Sequence, residues 1–294
     1  MLLLMLVFLG ISIMWGNGEV MKDKQFTCTQ FFYKGEQPSG LEPSRSARIC
    51  QTYKKKVHFA TLYDRDNLIP IYSAYKYNRK TNNITRNKQY YYEPQCLHFL
   101  YFKLVNEKYD KEMKKIPKIT TKIKKSQAVS EDYKKENMNI SSKQYDRGHL
   151  SPIVHHPDLD SKTATCTLTN IVPQFKNLNA GQWNYYEKNR MEKFTNRCST
   201  TYVIVGVIPG KNYTYTHQKK RVNVPSHIWT AACCVNEKGT PVRFLGYIAE
   251  NDKNVVNITS LTDLLKRLKI KSGRDVTLFN GGCKRNRNTF SHIF

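Results

Sequence analysis

Eight cysteines, Cys28, Cys50, Cys96, Cys166, Cys198, Cys233, Cys234 and Cys283, follow an apolar leader, and these two features together constrain the fold more than anything else in the chain. Residues 1–16 form an apolar run too short for a comfortable membrane span, the first charge is Glu19, and the small residues Gly16 and Gly18 suit cleavage. The expected division is a signal peptide over 1–18 and one domain over 19–294, with an uncleaved anchor as the alternative. An exported chain enters an oxidising compartment, so most of the cysteines are expected in disulfides. Cys233 and Cys234 are adjacent and are expected to bond to two distant partners rather than to each other. The remaining connectivity stays open, and no CxxC or Cys/His spacing suggests zinc. Asn-x-Ser/Thr sequons at Asn83, Asn139, Asn212 and Asn257 agree with export and mark the chain as a candidate glycoprotein.

Charge narrows the class of partner. The chain has 48 Lys+Arg against 23 Asp+Glu, a net +25, and this field concentrates polyanions. Nucleic acid, heparin-like sugars and anionic membrane all qualify on charge alone. An apolar content of 39% is enough for a sizeable core, which excludes a disordered basic tail.

Apolar patterning predicts strands over His58–Tyr63, Leu68–Tyr77, Thr201–Ile208, His227–Val235 and Val242–Ala249, with a helix over Leu261–Leu268 after a Ser or Thr cap. Phe26–Lys56 reads as loop-rich, punctuated by Gly35, Pro38, Gly40 and Pro43, with Cys28 and Cys50 available as staples. Tyr101–Lys143, rich in Lys and interrupted by Pro117, reads as a surface excursion whose lysines make a solvated face rather than an arm along phosphates.

Chemistry concentrates between Tyr145 and Arg190. Hydrolysis of a phosphodiester needs a base for water, a cation for the phosphate and leaving oxygen, and a donor for the charge developing on phosphorus. His149 can be the base, since neutral imidazole accepts a proton near pH 7, and Gly148 is expected to let the backbone turn tightly and present it. Leu178–Lys188 is expected as a helix with Asn179, Trp183 and Glu187 on one broad face. Eight helical residues span about 12 Å, so Asn179 and Glu187 would not both grip one small ion directly. Magnesium suits such a pair because it keeps several waters, and Trp183 is read as core.

In this stretch the chain resembles the DNA/RNA non-specific endonuclease family with its ββα-metal (His-Me) finger, and within it the secreted branch. The resemblance is carried by Asp146-Arg147-Gly148-His149, by Asn170-Ile171-Val172-Pro173-Gln174, and by Leu178-Asn179-x-Gly181-x-Trp183 with Glu187. Asn179 lies 30 residues after His149, the spacing of the family motif. The resemblance implies His149 as general base, Asn179 as the one direct protein ligand of magnesium or manganese, and Glu187 as holder of the ion's waters. It also implies a supporting Asn170, a phosphate contact from Arg147, and an upstream arginine for which Arg65 is the candidate. The implied fold is α+β, a mixed, mainly antiparallel sheet with helices and the finger laid against it. The implied activity is secreted hydrolysis of DNA or RNA through the phosphate backbone, with no stable membrane association. A catalytically inactive, secreted polyanion-binding protein on the same fold is the alternative.

His155 and His156 precede a Pro157-Asp158 turn and are expected at the surface, while Tyr90-Tyr91-Tyr92 is expected to pack in a core rather than stack on bases.

Overall fold

Alternating apolar side chains build one large sheet and two small ones. The computed structural model describes residues 25–79, 89–93, 112–113, 115 and 119–283. The leader over 1–18, the Asn83 sequon, Cys96 and most of residues 101–118 lie outside the described residues.

In chain order the strands are β1 (Ser46–Tyr53), β2 (Lys56–Asp64), β3 (Ile69–Lys76), β4 (Asn139–Ile140), β5 (Lys143–His149) and β6 (Ile171–Phe175), then β7 (Thr200–Ile208), β8 (Asn212–Thr216), β9 (Lys219–Val224), β10 (His227–Val235), β11 (Pro241–Glu250) and β12 (Asn257–Ile258). The helices are α1 (Thr121–Ser126), α2 (Leu159–Ala164), α3 (Lys176–Ala180), α4 (Gln182–Tyr185), α5 (Met191–Thr195) and α6 (Leu261–Ser272). The large sheet runs β1-β2-β3-β7-β10-β11-β12, β4-β5-β6 form the second, and β8-β9 form a separate hairpin. Every strand pairing among these is antiparallel, so the chain is an α+β protein built on an antiparallel sheet.

The period of two in the strands sorts side chains into two cores. On β10, Ile228, Ala232 and Cys234 join the cluster that includes Leu178, Trp183 and Tyr186, while Trp229, Ala231, Cys233 and Val235 join the cluster that includes Leu264 and Leu268 of α6. The finger therefore lies on one face of the sheet and α6 on the other. Ser260 caps α6, its hydroxyl accepting from the Asp263 amide at 3.0 Å, and Gly273 ends it in the left-handed conformation at φ 70°.

The same alternation separates two neighbouring cysteines. Cys234 bonds Cys198, just after α5 on the finger side, and Cys233 bonds Cys283 on the α6 side. A third disulfide joins Cys28 to Cys50, anchoring the N-terminal segment to β1.

Two expectations are corrected. β1 lies within a stretch expected to be loop-rich, because its buried side chains include Arg48, Gln51 and Thr52 and so mask the apolar pattern. The β8–β9 hairpin also escaped prediction, being mostly polar and short. The described lysines of the Lys-rich excursion do face solvent, with Lys122, Lys125, Lys134 and Lys135 exposed, while Ile123, Val129, Tyr133 and Met138 are buried and anchor the segment. His155 and His156 are not at the surface but enclosed, at 0% and 3% exposure.

Candidate active site

Strands β5 and β6 pair antiparallel with His149 opposite Ile171, and α3 starts directly after β6 and packs against β5, giving the ββα order of the finger. His149 is the last residue of β5 and is partly exposed. Gly148 is needed here for a different reason from the tight turn expected of it. It sits inside the strand, and a Cβ there would lie 2.3 Å from Oε1 and 2.6 Å from Cβ of Gln174, so only glycine admits the neighbouring side chain.

Asn170 holds the chain beyond His149. Its Oδ1 accepts from the Ser73 hydroxyl at 2.8 Å and from the Ser151 amide at 2.9 Å, and its Nδ2 donates to the carbonyls of Ser151 and Thr165, each at 3.0 Å. The Leu150 amide, next to His149, donates to the Asn170 carbonyl at 3.0 Å. Asn170 is wholly buried and uses its full side-chain capacity, so its part is support of the finger.

The helix expected over Leu178–Lys188 is interrupted. Gly181 has φ −101° and ψ −114° and divides α3 from α4, and the next turn, Tyr186–Arg190, is a π-turn before α5. A Cβ at Gly181 would fall 2.5 Å from both the Asn177 carbonyl and Oδ1 of Asn254, and that Oδ1 accepts from the Gln182 amide at 2.8 Å, capping α4. Asn179 therefore sits on α3 beside β5, and Glu187 on the π-turn. Trp183 is buried at 1% exposure, as a core residue should be, and its side chain also bonds the Glu187 carboxylate. Burial of that carboxyl pushes its pKa up to about 8, against the smaller pull of the Trp183 bond.

Behind Glu187 lies a relay that sequence reasoning missed. His155 donates from Nε2 to the Glu187 carbonyl at 2.8 Å and its Nδ1 meets the Tyr75 hydroxyl at 2.8 Å, and burial depresses its pKa to about 3. A neutral imidazole with these partners fixes the π-turn to β3. His156, also held at about 3 by burial, bonds Ser151 through Nε2 at 2.7 Å. Two consecutive histidines ahead of a capped helix carried no periodic signal from which this could have been read.

Arg147 points its guanidinium carbon at Tyr90, 4.6 Å from the ring centroid, and at Tyr133, 5.9 Å away, and donates from Nη2 to the Ser130 carbonyl at 3.3 Å. Tyr90 also lies 6.2 Å from the His149 ring, whereas Tyr91 and Tyr92 are buried as expected. Arg65 lies on the turn after β2, its amide donating to the Arg45 carbonyl at 3.0 Å, and its buried Nε has no acceptor among the described residues. Among the described residues no hydrogen bond joins Arg65 to the other five candidates, whereas the finger gathers His149, Arg147, Asn170 and Asn179.

The oxygen donors fit a hard divalent cation. The Asn179 amide makes no hydrogen bond among the described residues, and Glu187 adds a carboxylate with one bonded partner in Trp183. Among the described residues no three His, Cys, Asp or Glu side chains gather as a cage, so an ion held here would keep most of its waters.

The profile of the DNA/RNA non-specific endonuclease family matches residues 40–277. Endonuclease domain-containing 1 proteins of Mus musculus and Homo sapiens are 27% and 28% identical over 263 residues, 87% of this chain and 47% of each relative. The chain thus spans about half the length of the curated relatives it matches. In fold it resembles a chain of the crystal structure of the EndoG/EndoGI complex, with TM-score 0.52 and 16% identity, over 78% of this chain and 85% of that one.

Proposed function

Because the chain belongs to the DNA/RNA non-specific endonuclease family, we propose that it is a secreted, magnesium-dependent endonuclease that hydrolyses phosphodiester bonds of DNA or RNA without regard to base sequence. The observation that carries the reading is the ββα finger with His149 closing β5, Asn170 fixing the chain after it, and Asn179 on the helix that follows β6.

His149 accepts the proton of the attacking water, a task for neutral imidazole near pH 7. Arg147 donates to the phosphate, and its lack of any carboxylate partner among the described residues leaves its charge for that purpose. Asn179 would hold the magnesium directly and Glu187 through water, and manganese would suit the same oxygens. When bound, the ion supplies a Lewis acid beside the phosphate and leaving oxygen. For Arg65 the supporting feature is its buried Nε, a donor without an acceptor among the described residues. A site that engages phosphate, sugar and metal reads no base edges, which accounts for non-specificity. Secretion is supported by three disulfides, a pattern of oxidising compartments.

The test is incubation of the purified protein with supercoiled plasmid and with RNA, in magnesium and in chelator, beside His149→Ala. Cleavage in magnesium only, lower by at least ~10²-fold in His149→Ala with binding retained, is the expected result. A wild type that binds both polymers and cuts neither establishes the polyanion-binding alternative instead.

A further inference from the structure

Tyr90 stands apart from the two tyrosines after it. Tyr91 and Tyr92 are buried, while the half-buried Tyr90 ring lies 4.6 Å from the Arg147 guanidinium carbon and 6.2 Å from the His149 ring. We infer that Tyr90 is a positioning residue, which with Tyr133 clamps the Arg147 guanidinium next to His149 and keeps its remaining N–H groups available to a phosphate oxygen. The inference rests on the nucleic-acid reading of the site.

The physical argument concerns how a cation can be fixed without being neutralised. A carboxylate would orient Arg147 but would also compete with the phosphate for its charge. An aromatic face holds the planar guanidinium through its quadrupole and leaves the in-plane donors unused. Arg147 has this second kind of environment: Tyr90 and Tyr133 approach it, Ser130 takes a hydrogen from Nη2 at 3.3 Å, and no carboxylate pairs with it among the described residues. Its Nε is buried with no acceptor among the described residues.

The clamp is braced on the strand that faces His149. The Tyr133 hydroxyl donates to the Ile171 carbonyl at 2.9 Å, and Ile171 is the register partner of His149. Ser130 is fixed in turn, its amide donating to the Tyr92 hydroxyl at 3.2 Å. Arg147 and His149 are thus referred to the same two strands, so a phosphate bound by one is presented to the other.

The experiment measures binding of a short fluorescein-labelled DNA duplex in chelator, then steady-state cleavage in magnesium, for wild type, Tyr90→Phe, Tyr90→Leu, Arg147→Ala and Tyr90→Leu/Arg147→Ala. Tyr90→Phe keeps the aromatic face and is expected to bind within about twofold of wild type, while Tyr90→Leu weakens binding about tenfold. It should raise KM more than it lowers kcat, with an unchanged melting temperature. In the Arg147→Ala background Tyr90→Leu should cost nothing further, because its effect passes through Arg147. Should Tyr90→Leu melt early, Tyr90→Met takes its place. Wild-type binding by Tyr90→Leu, or the same loss with and without Arg147, overturns the inference. A wild type that binds the duplex but never cuts it sinks the nuclease reading alone, since the binding measurements still decide the clamp.

Discussion

Ser73 on β3 donates its hydroxyl to Oδ1 of Asn170 over 2.8 Å, and both residues are wholly buried, so this bond fastens the finger to the large sheet. Asn170→Ala removes it together with three further bonds and strands buried groups of Ser73, Ser151 and Thr165. A loss of about 2–4 kcal/mol in urea unfolding is expected, against about 1–2 for Ser73→Ala. Equal losses in the two variants would show that the remaining Asn170 bonds contribute little.

Magnesium titrations should separate Asn179 from Glu187. Asn179→Ala removes the proposed direct ligand and should raise the magnesium needed for half-maximal cleavage by ~10-fold or more, and Glu187→Ala should raise it less. His149→Ala should stay inactive at any magnesium concentration, because more metal cannot replace a base. Rescue of His149→Ala at high magnesium would reverse these roles.

Acid should destabilise the protein early. His155 and His156 remain neutral in the fold down to about 3, while the unfolded chain takes up protons below the ordinary value of 6.5. The stability they confer is complete above pH 6.5 and is lost progressively as pH falls towards 3. His156→Gln should flatten the dependence of the urea midpoint on pH between about 6 and 4. An unaltered slope would mean that the ring is protonated in the fold.

Glu93 works in the opposite direction. Burial pushes its pKa up to about 8, with a lesser opposing bond from Thr167, and Oε1 has no partner among the described residues. The fold keeps the carboxyl protonated where the unfolded chain releases it, so stability declines as pH rises from about 4.5 to 8 and levels off above. Glu93→Gln, neutral throughout, should be more stable than wild type at pH 8.5 by about 1–3 kcal/mol. Equal stability at that pH would contradict the buried, protonated carboxyl.

Much of the fold was legible because its central strands are apolar. Thr200–Ile208 and His227–Val235 are covered on both faces and show continuous apolar runs, which sequence reading finds easily. β1 was missed since several of its buried side chains are polar, such as Gln51, whose amide donates to Thr169 at 2.7 Å across 118 positions. Within the candidate site, residue types and spacing singled out His149, Arg147, Asn170, Asn179 and Glu187 as candidates. The brace formed by Tyr75, His155 and the Glu187 carbonyl was not legible, because it joins residues 80 and 32 positions apart. The break at Gly181 depends on Asn254, equally invisible to helical periodicity.

Peptide mapping under non-oxidising, non-reducing conditions should find Cys28–Cys50, Cys198–Cys234 and Cys233–Cys283. Strong reductant should cost about 2–4 kcal/mol of stability per bond opened. A Cys198–Cys233 peptide in the native protein would refute the assignment of the two cysteines to opposite faces.

That assignment makes β10 its own register gauge. A one-residue slip of a strand exchanges its two faces, and in most sheets only lost packing opposes the error. Here a slip would carry Cys233 to the finger side and Cys234 to the α6 side, away from the sulfurs that await them. Native oxidation can therefore close both bridges only on a correctly aligned strand. Once closed, they lock the alignment from both sides and make one strand the common covalent tie between the layer carrying the finger and the layer carrying α6.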